Sequence, residues 1–254
     1  MDQTTSPAPV IKRHRHELKR RNLTVQTVTA ITPHMLRIVL HGADLSDFTS
    51  LGFDDHIKLF LDNGSDKPSM REYTPRAYDQ AGQTLALDFA IHEAGPATAW
   101  ALSAKPGDPL LIGGPRKSAV IAPIFDWYLL VGDETALPAI GRRVEELGPE
   151  TKIITVVAII GPEEIQNFKT EADHNAYWVY RPQSRADDPA PLLDALQTHP
   201  LPGGNGFIWI AAESGVARAL RNHVTDTMGH PSQWTKAAGY WTKGLADGSD
   251  KALE

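Results

Sequence analysis

The spacing of apolar residues changes once along the 254-residue chain, near Pro123, and this change limits the possible folds more than any other feature. Before Pro123, short runs alternate apolar or β-branched side chains with polar ones, and Gly, Asp, Asn and Pro separate the runs. They cover residues 24–29, 35–40, 56–61, 71–78 and 84–92, with a short helix predicted over 97–103. Many short strands between turn residues predict an antiparallel β-barrel or sandwich.

After Pro123, continuous apolar runs typical of buried parallel strands alternate with helical patterns. The runs are 128–131, 153–160, 177–180 and 207–211, and the helical patterns are 137–147, 162–168, 190–197 and 216–228. This alternation predicts an α/β domain with a parallel sheet. Gly113, Gly114 and Pro115 mark the break. We therefore predict two domains, residues 20–115 and 124–245, in line with roughly 100–200 residues per domain.

Composition excludes several kinds of chemistry. The chain contains no cysteine, so it has no disulfide, no cysteine-ligated zinc and no self-ligated iron–sulfur cluster. Redox chemistry would need an organic cofactor. The ten histidines show no metal-ligand spacing, and no metal site is expected.

Charge and hydropathy limit the partners. A net charge of −6 disfavours nucleic acid. No apolar run approaches the roughly 18–20 residues that span a bilayer, and the N-terminus lacks an apolar signal core, so we expect no membrane insertion and a cytoplasmic location. Six cations lie within residues 12–21. They form either a solvated basic arm or a cluster that attracts an anionic ligand.

One short segment, Arg71-Glu72-Tyr73-Thr74-Pro75-Arg76, has side chains suited to a flavin. Alternate residues on a strand share a face, so Arg71 and Tyr73 can point at one ligand. The planar guanidinium suits phosphate, the phenol ring can stack on an isoalloxazine, and Thr74 offers a hydroxyl near the flavin N5. The same residues would equally suit an ordinary cross-strand pair.

This segment resembles the flavin signature of the siderophore-interacting protein family, FAD-dependent ferric-siderophore reductases of the ferredoxin–NADP reductase superfamily. Further segments resemble the family in order: 88–92 with 95–100, 113–116, 132–140, 209–213 and 239–244. The resemblance implies a flavin-binding antiparallel β-barrel followed by an α/β parallel-sheet domain that binds a nicotinamide nucleotide. It also implies non-covalent FAD, reduced by NADPH or NADH.

The resemblance assigns FAD contacts to the first domain, with Tyr73 and Thr74 beside the reacting ring. The assigned residues are Arg71, Tyr73, Thr74, Arg76, Asp88, Ala90, His92, Gly95, Ala97, Thr98 and Trp100. Gly95 to Thr98 precede the predicted helix, whose free N–H groups suit a pyrophosphate, although an ordinary capped turn would look the same. His92 at a strand end equally suits a structural role.

In the second domain the resemblance assigns cofactor contacts to Gly132, Asp133, Glu134, Thr135, Arg181, Arg185, Glu213 and Trp241. The turn lacks Gly-x-Gly-x-x-Gly, and its acidic residues could simply stabilise a helix N-terminus. Arg181 and Arg185 suit a 2′-phosphate and favour NADPH, whereas Glu163 and Glu164 would suit the unphosphorylated ribose of NADH. Trp241 could lie near the flavin or pack in the core.

The implied activity is NAD(P)H-dependent reduction of a ferric siderophore by a monomeric protein. Ferric siderophores are often anionic, so a net-acidic protein needs local cations to bind one. Lys58, Arg116 and Lys117 are the candidates, with ordinary surface charge as the alternative. Two other functions remain open: a general flavin or ferredoxin-type reductase, and a siderophore-binding protein without catalysis.

Overall fold

The computed structural model describes residues 10–62, 64, 66–92, 95–199 and 201–245. Its strands are β1 (Ile11–Arg15), β2 (Arg20–Thr32), β3 (Met35–His41), β4 (Ile57–Leu61), β5 (Ser69–Tyr73), β6 (Ala77–Asp79), β7 (Thr84–Ala90), β8 (Pro109–Gly113), β9 (Lys117–Ile121), β10 (Trp127–Gly132), β11 (Lys152–Ile159), β12 (Asp173–Tyr180), β13 (Gly206–Glu213) and β14 (Thr235–Trp241). Its α-helices are α1 (Pro96–Ser103), α2 (Leu137–Glu146), α3 (Ala190–Thr198) and α4 (Ser214–Asn222).

The first domain is an antiparallel sheet of seven strands in the order β5–β4–β8–β2–β3–β7–β6. Apolar residues alternate along each strand, so one side of the sheet is a buried core that includes Leu59, Leu87 and Phe89. Helix α1 packs Ala97 and Ala101 into this core. The described strands curl into a half-barrel in which β5 and β6 remain edges, so the predicted barrel is open.

The second domain is a parallel sheet in the order β12–β11–β10–β13–β14. Strands β10 and β13 are buried along their whole length because strands flank them and helices cover both faces. Helix α2 packs on one face, and α3 and α4 pack on the other. The α/β prediction is therefore confirmed.

The two domains share apolar packing. Met35 and Phe53 of the first domain belong to the same core cluster as Ile140 and Trp209 of the second. The rings of Phe53 and Trp209 are 5.3 Å apart, edge to face. The side of the parallel sheet that carries α2 is thus completed by the first domain.

Helix α2 also binds the first domain through a buried arginine. Arg142 donates to the carbonyl of Ser50 (2.7 Å), to the Ser50 hydroxyl (2.8 Å) and to the carbonyl of Pro75 (3.1 Å). Its Nε donates to Glu146, one turn further along α2 (2.7 Å). Pro75 lies inside the segment 71–76, which is predicted to bind the flavin and which we call the flavin motif. Helix α2 therefore fixes the backbone of that motif.

The basic N-terminal segment begins with a strand rather than a free arm. β1 pairs antiparallel with β9, which places Arg15 opposite Lys117. Ser118 of β9 is buried, and its hydroxyl contacts both Asp55 Oδ2 (2.5 Å) and His16 Nε2 (2.7 Å). The ribbon therefore lies on the segment that joins the two domains.

Two predicted elements differ from the structure. The run 71–78 is two strands, because Pro75 has no N–H to donate to a ladder and the chain bends at 74–76. The helix predicted over 162–168 is one 3₁₀ turn, Pro162–Glu164, whose buried Glu164 carboxylate accepts from Thr32 and His34 of the first domain. Strand β14 was not predicted.

Candidate active site

Strand β5 turns two residues of the flavin motif toward the core side of the first sheet. Arg71 pairs with Leu59 and Tyr73 with Ile57, and directly opposed residues of an antiparallel pair share a face. The Tyr73 ring packs 4.3 Å from Phe89, and Phe89 lies 5.6 Å from Trp100. Burial raises the pKa of the Tyr73 phenol, so the phenol stays protonated.

Thr74 follows β5 and lies at the boundary between the domains. It is buried, and its side chain lies close to the phenol of Tyr240 near the end of β14. Burial, and then the charge of Asp54, raise the pKa of Tyr240 far above its ordinary value, although Thr74 partly opposes this shift. The predicted flavin motif therefore meets the last strand of the second domain.

Arg76 and Asp88 already have protein partners. The Arg37 guanidinium binds both oxygens of Asp88, at 2.6 and 2.7 Å. Arg76 is buried, lies 3.7 Å from Asp88, and donates to Glu145 of α2 at 2.7 Å. This network joins the domains, and a further contact of Arg76 or Asp88 with FAD stays a prediction.

Helix α1 presents an N-terminus suited to an anion. Its N-cap is Gly95, no side chain of the described residues caps it, and Pro96 occupies the first turn. A Cβ at Gly95 would meet nothing within 4 Å, so a ligand can approach the backbone. Ala97 and Thr98 are buried behind this end, and Trp100 reaches Phe89.

The remaining two residues assigned to the flavin lie at or just after the end of β7, between that strand and α1 in the chain. His92 is exposed at the end of the β7 segment. Ala90 pairs with Met35 and packs against the core shared by the two domains.

In the second domain, Asp133 organises the carboxyl ends of three parallel strands. Its buried carboxylate accepts from the N–H and hydroxyl of Thr135 (2.9 and 2.6 Å), from the N–H of Glu213 (3.0 Å) and from the Trp241 indole (2.9 Å). A Cβ at Gly132 would lie 2.5 Å from the Ala211 carbonyl oxygen, so glycine permits this close approach. We call the carboxyl ends of the parallel strands the nucleotide edge. It comprises residues 132–135 at the end of β10, 181–188 after β12, 213 at the end of β13 and 241–243 at the end of β14.

Two other acidic residues of the nucleotide edge have distinct partners. Glu213 caps α4 by accepting from the N–H groups of Gly215 (2.6 Å) and Val216 (3.2 Å). Glu134 forms a 2.7 Å ion pair with the buried Arg181. Burial, followed by the charge of Asp133, raises the Glu134 pKa to about 7, and Arg181 limits that rise.

The three predicted acceptor residues lie at one end of the first sheet. Lys58 pairs with Gly113 at the end of β8, and Arg116 and Lys117 follow three and four residues later. All three are exposed. The register brings Arg20 to the same Gly113 and Arg15 opposite Lys117. We call Arg15, Arg20, Lys58, Arg116 and Lys117 the basic edge.

Sequence reasoning missed part of this arrangement. Tyr240 lies in the segment 239–244 without a role of its own in the sequence analysis, and its proximity to Thr74 has no local sequence signal. Arg15 and Arg20 were visible as part of the N-terminal cluster, but only strand register places them beside Lys58. Among the described residues, no helix is long and apolar enough to cross a membrane, and no group of three or more His, Cys, Asp or Glu could hold a metal ion.

Comparisons with known proteins agree with this arrangement. Residues 125–244 match the siderophore-interacting protein family, and 24–68 and 62–119 match the siderophore-interacting FAD-binding domain. The NADPH-dependent ferric-chelate reductase of Escherichia coli (strain K12) is 34% identical over 251 residues, covering 91% of this chain and 96% of the relative. The ferric vibriobactin reductase ViuB of Vibrio cholerae is 26% identical over 236 residues, covering 84% and 86%.

A solved structure gives the same picture for the fold. The siderophore utilization protein from T. fusca superposes with a TM-score of 0.89 at 29% identity, covering 95% of this chain and all of that one. Both domains of the present chain are therefore found together in a relative of nearly the same extent.

Proposed function

The chain belongs to the siderophore-interacting protein family, and from this we propose that it is an FAD-containing NAD(P)H:ferric-siderophore oxidoreductase. The names of two relatives, a ferric-chelate reductase and a ferric vibriobactin reductase, support the substrate class. The observation that carries the proposal is the bond from Arg142 to the carbonyl of Pro75 (3.1 Å), because it joins the flavin motif to α2, the helix that follows the nucleotide edge in the chain.

We assign residues 20–115 to FAD and residues 124–245 to NAD(P)H. The match of residues 24–119 to a FAD-binding domain supports the first assignment. The second rests on the parallel sheet, because ligands of such sheets bind outside the carboxyl ends of the strands. Gly132 to Thr135, Arg181, Glu213 and Trp241 all lie at those ends.

The residues of the first domain fit FAD. An uncapped helix N-terminus with open space at Gly95 suits a pyrophosphate, and Arg71 adds a cation on the core side of β5. When bound, FAD supplies the ability to accept a hydride and to release electrons singly. Tyr73 and Trp100, packed on Phe89, exclude water and orient the ring.

Thr74 is the residue we place at the reacting edge. A hydroxyl has one donor and two acceptor positions, so Thr74 can bond to a cofactor nitrogen while a second partner orients it. The phenol of Tyr240 is close and stays protonated, so it can serve as that second partner.

The basic edge suits the acceptor. Lys58, Arg116 and Lys117 are exposed, with Glu72 opposite Lys58 across the ladder, and they can attract an anionic ferric chelate to a protein of net charge −6. Oxygen-donor chelators hold Fe(II) less tightly than Fe(III), so a one-electron reduction releases the metal.

The test is an anaerobic mixture of the purified protein, NADPH or NADH, and a ferric siderophore, with flavin absorbance and trapped Fe(II) followed together. Bleaching by the nucleotide and recovery on addition of the siderophore, with Fe(II) formed, are expected. Faster turnover of free flavin or ferredoxin would identify another reductase. A colourless protein that takes up no flavin would identify a carrier.

We also propose that the cofactor is non-covalent FAD and that the protein acts as a cytoplasmic monomer, where nicotinamide nucleotides are available. Heat should release FAD into solution, since the chain has no cysteine for a thioether link. Recovery of FMN alone, or a light-scattering mass of twice 27.8 kDa, would contradict these assignments.

A further inference from the structure

Each cation at the nucleotide edge is already paired with a carboxylate. Arg181 pairs with Glu134, Arg185 with Asp188, and Lys243 with Asp187. The pairs of Arg185 and Lys243 are exposed, with side-chain exposures of 63% and 47% for the two cations. Arg181 is different because only 3% of its side chain is exposed.

The Arg181–Glu134 pair is incomplete. One nitrogen of Arg181 donates to Glu134 Oε2 at 2.7 Å. The other terminal nitrogen, Nη1, and the other carboxylate oxygen, Oε1, are buried and have no hydrogen-bond partner within the described residues. Buried polar atoms without partners are rare and mark a place where a further group can bind.

A phosphate would be a stronger partner for Arg181 than a single carboxylate oxygen, because a guanidinium can bind phosphate through two parallel bonds. The phosphate cannot join the pair as it stands. Glu134 and the neighbouring Asp133 would place two further negative charges beside it. One of these charges has to be removed.

We propose that Glu134 is a specificity-determining residue that competes with a nucleotide phosphate for Arg181, so that phosphate binding there is coupled to protonation of Glu134. The proton comes from solvent, and Glu134 becomes a neutral acid while Arg181 transfers to the phosphate. This inference rests on the proposed use of NAD(P)H.

Glu134 is the group at this edge that can take up the proton. Its pKa is raised to about 7 by burial and by Asp133, and Arg181 is the cation that opposes the shift. The Asp133 carboxylate is held by Thr135, Glu213 N–H and Trp241, and the Lys243 ammonium is directed at Asp187 and Ser184. Above pH 7, Glu134 is charged and retains Arg181; below it, Glu134 is neutral and releases Arg181.

The experiment is calorimetric titration of the FAD-loaded protein with 2′,5′-ADP at pH 6 and pH 8, in buffers of different ionisation enthalpy. At pH 8 the ligand phosphates are ionised, since their second pKa is about 6. Most of Glu134 is then ionised, so binding should take up nearly one proton and be weakened by roughly an order of magnitude. Glu134→Gln should bind about tenfold more tightly than the wild type at pH 8, without proton uptake.

At pH 6 the wild type and Glu134→Gln should bind within about twofold of each other. Asp194→Asn, which removes an exposed charge on α3, should match the wild type at both pH values. Equal affinity ratios at the two pH values, or proton uptake that survives Glu134→Gln, would overturn the inference. If that variant does not fold, wild-type binding at pH 8 without proton uptake would overturn it alone. No binding to any variant would refute a phosphate site at Arg181, and this inference with it, whereas flavin bleaching by NADH would still support the proposed function.

Discussion

Arg71 and Arg76 belong to one six-residue motif, but their surroundings give them different tasks. Arg71 lies on the core side of β5 opposite Leu59, and helix α1 packs into the same core. Arg76 is buried against Glu145 and Asp88, two carboxylates that neutralise it. A buried arginine with such partners holds structure together, so of the two, Arg71 is the better candidate for a phosphate.

Arg71→Ala should lose flavin while keeping the fold. A charged hydrogen bond of this kind is worth roughly 1.5–3 kcal/mol, or about ten- to a hundredfold in affinity. The measurement is the FAD dissociation constant from flavin fluorescence, beside a thermal melt of the flavin-free protein. Arg13→Ala, which removes an exposed arginine of the ribbon, is the matched control. An unchanged dissociation constant for Arg71→Ala would show that Arg71 serves only as a cross-strand residue.

Lys58→Gln combined with Arg116→Gln should raise KM for an anionic ferric siderophore and flatten its salt dependence. Exposed cations act mainly on encounter and binding, and salt screens them. Initial rates at low and high salt measure the effect, and flavin content and the rate of flavin reduction by NAD(P)H should change little. Lys105→Gln with Lys152→Gln removes the same charge at other exposed positions. Normal siderophore reduction by the first variant at low salt would place the acceptor elsewhere.

Residue chemistry was easier to predict than residue partners. The family resemblance identified Arg76, Asp88, Glu134 and Arg181 as charged groups of interest. The two members of each pair are far apart in the chain: 51 residues for Arg37–Asp88, 69 for Arg76–Glu145 and 47 for Glu134–Arg181. Such pairs depend on strand order and domain docking, which no local pattern contains.

At the scale of elements, local periodicity predicted those that bury their own apolar face. Strands β10, β11 and β13 and helices α2 and α3 follow from continuous or helical apolar spacing. The failures are elements that depend on a distant partner. β1 is basic and exists as a strand through β9, about a hundred residues later. The single turn Pro162–Glu164 is fixed by Thr32 and His34 rather than by helical periodicity.

Arg142→Met should destabilise the protein by about 2–4 kcal/mol, because it leaves the buried carbonyls of Ser50 and Pro75 and the Ser50 hydroxyl without their charged donor. Urea unfolding gives the change in the free energy of unfolding. Arg185→Met removes an exposed arginine that is paired at the surface, and should cost less than about 1 kcal/mol. Equal effects of the two substitutions would show that α2 does not depend on Arg142 for docking.

At the scale of the whole molecule, the change of apolar spacing near Pro123 predicted two domains but not how closely they are joined. The apolar cluster that contains Met35, Phe53, Ile140 and Trp209 takes residues from both. Asp54 of the first domain also accepts from the Trp209 indole at 2.8 Å. A surface shared between domains looks like an ordinary buried face in each half of the sequence, so periodicity cannot reveal it.

This shared core predicts that the domains unfold together. Separation would expose the face of the parallel sheet around Trp209 and leave Arg142, Glu145 and Glu164 without their partners across the interface. The loss of burial and of charged hydrogen bonds makes an intermediate with one folded domain unfavourable, so unfolding should approach two-state behaviour. Five of the six tryptophans lie within residues 124–245, so their fluorescence reports the second domain, whereas far-UV circular dichroism reports both sheets.

In urea at saturating FAD, the fluorescence and circular dichroism transitions should coincide in midpoint and slope. The flavin-free protein should give the same coincidence at a lower midpoint, because a ligand that binds only the folded state stabilises it by mass action. A circular dichroism transition that continues after the tryptophan signal is complete would mean that the first sheet survives alone. The contacts of Arg142, Glu145 and Glu164 would then be too weak to couple the flavin motif to the nucleotide edge.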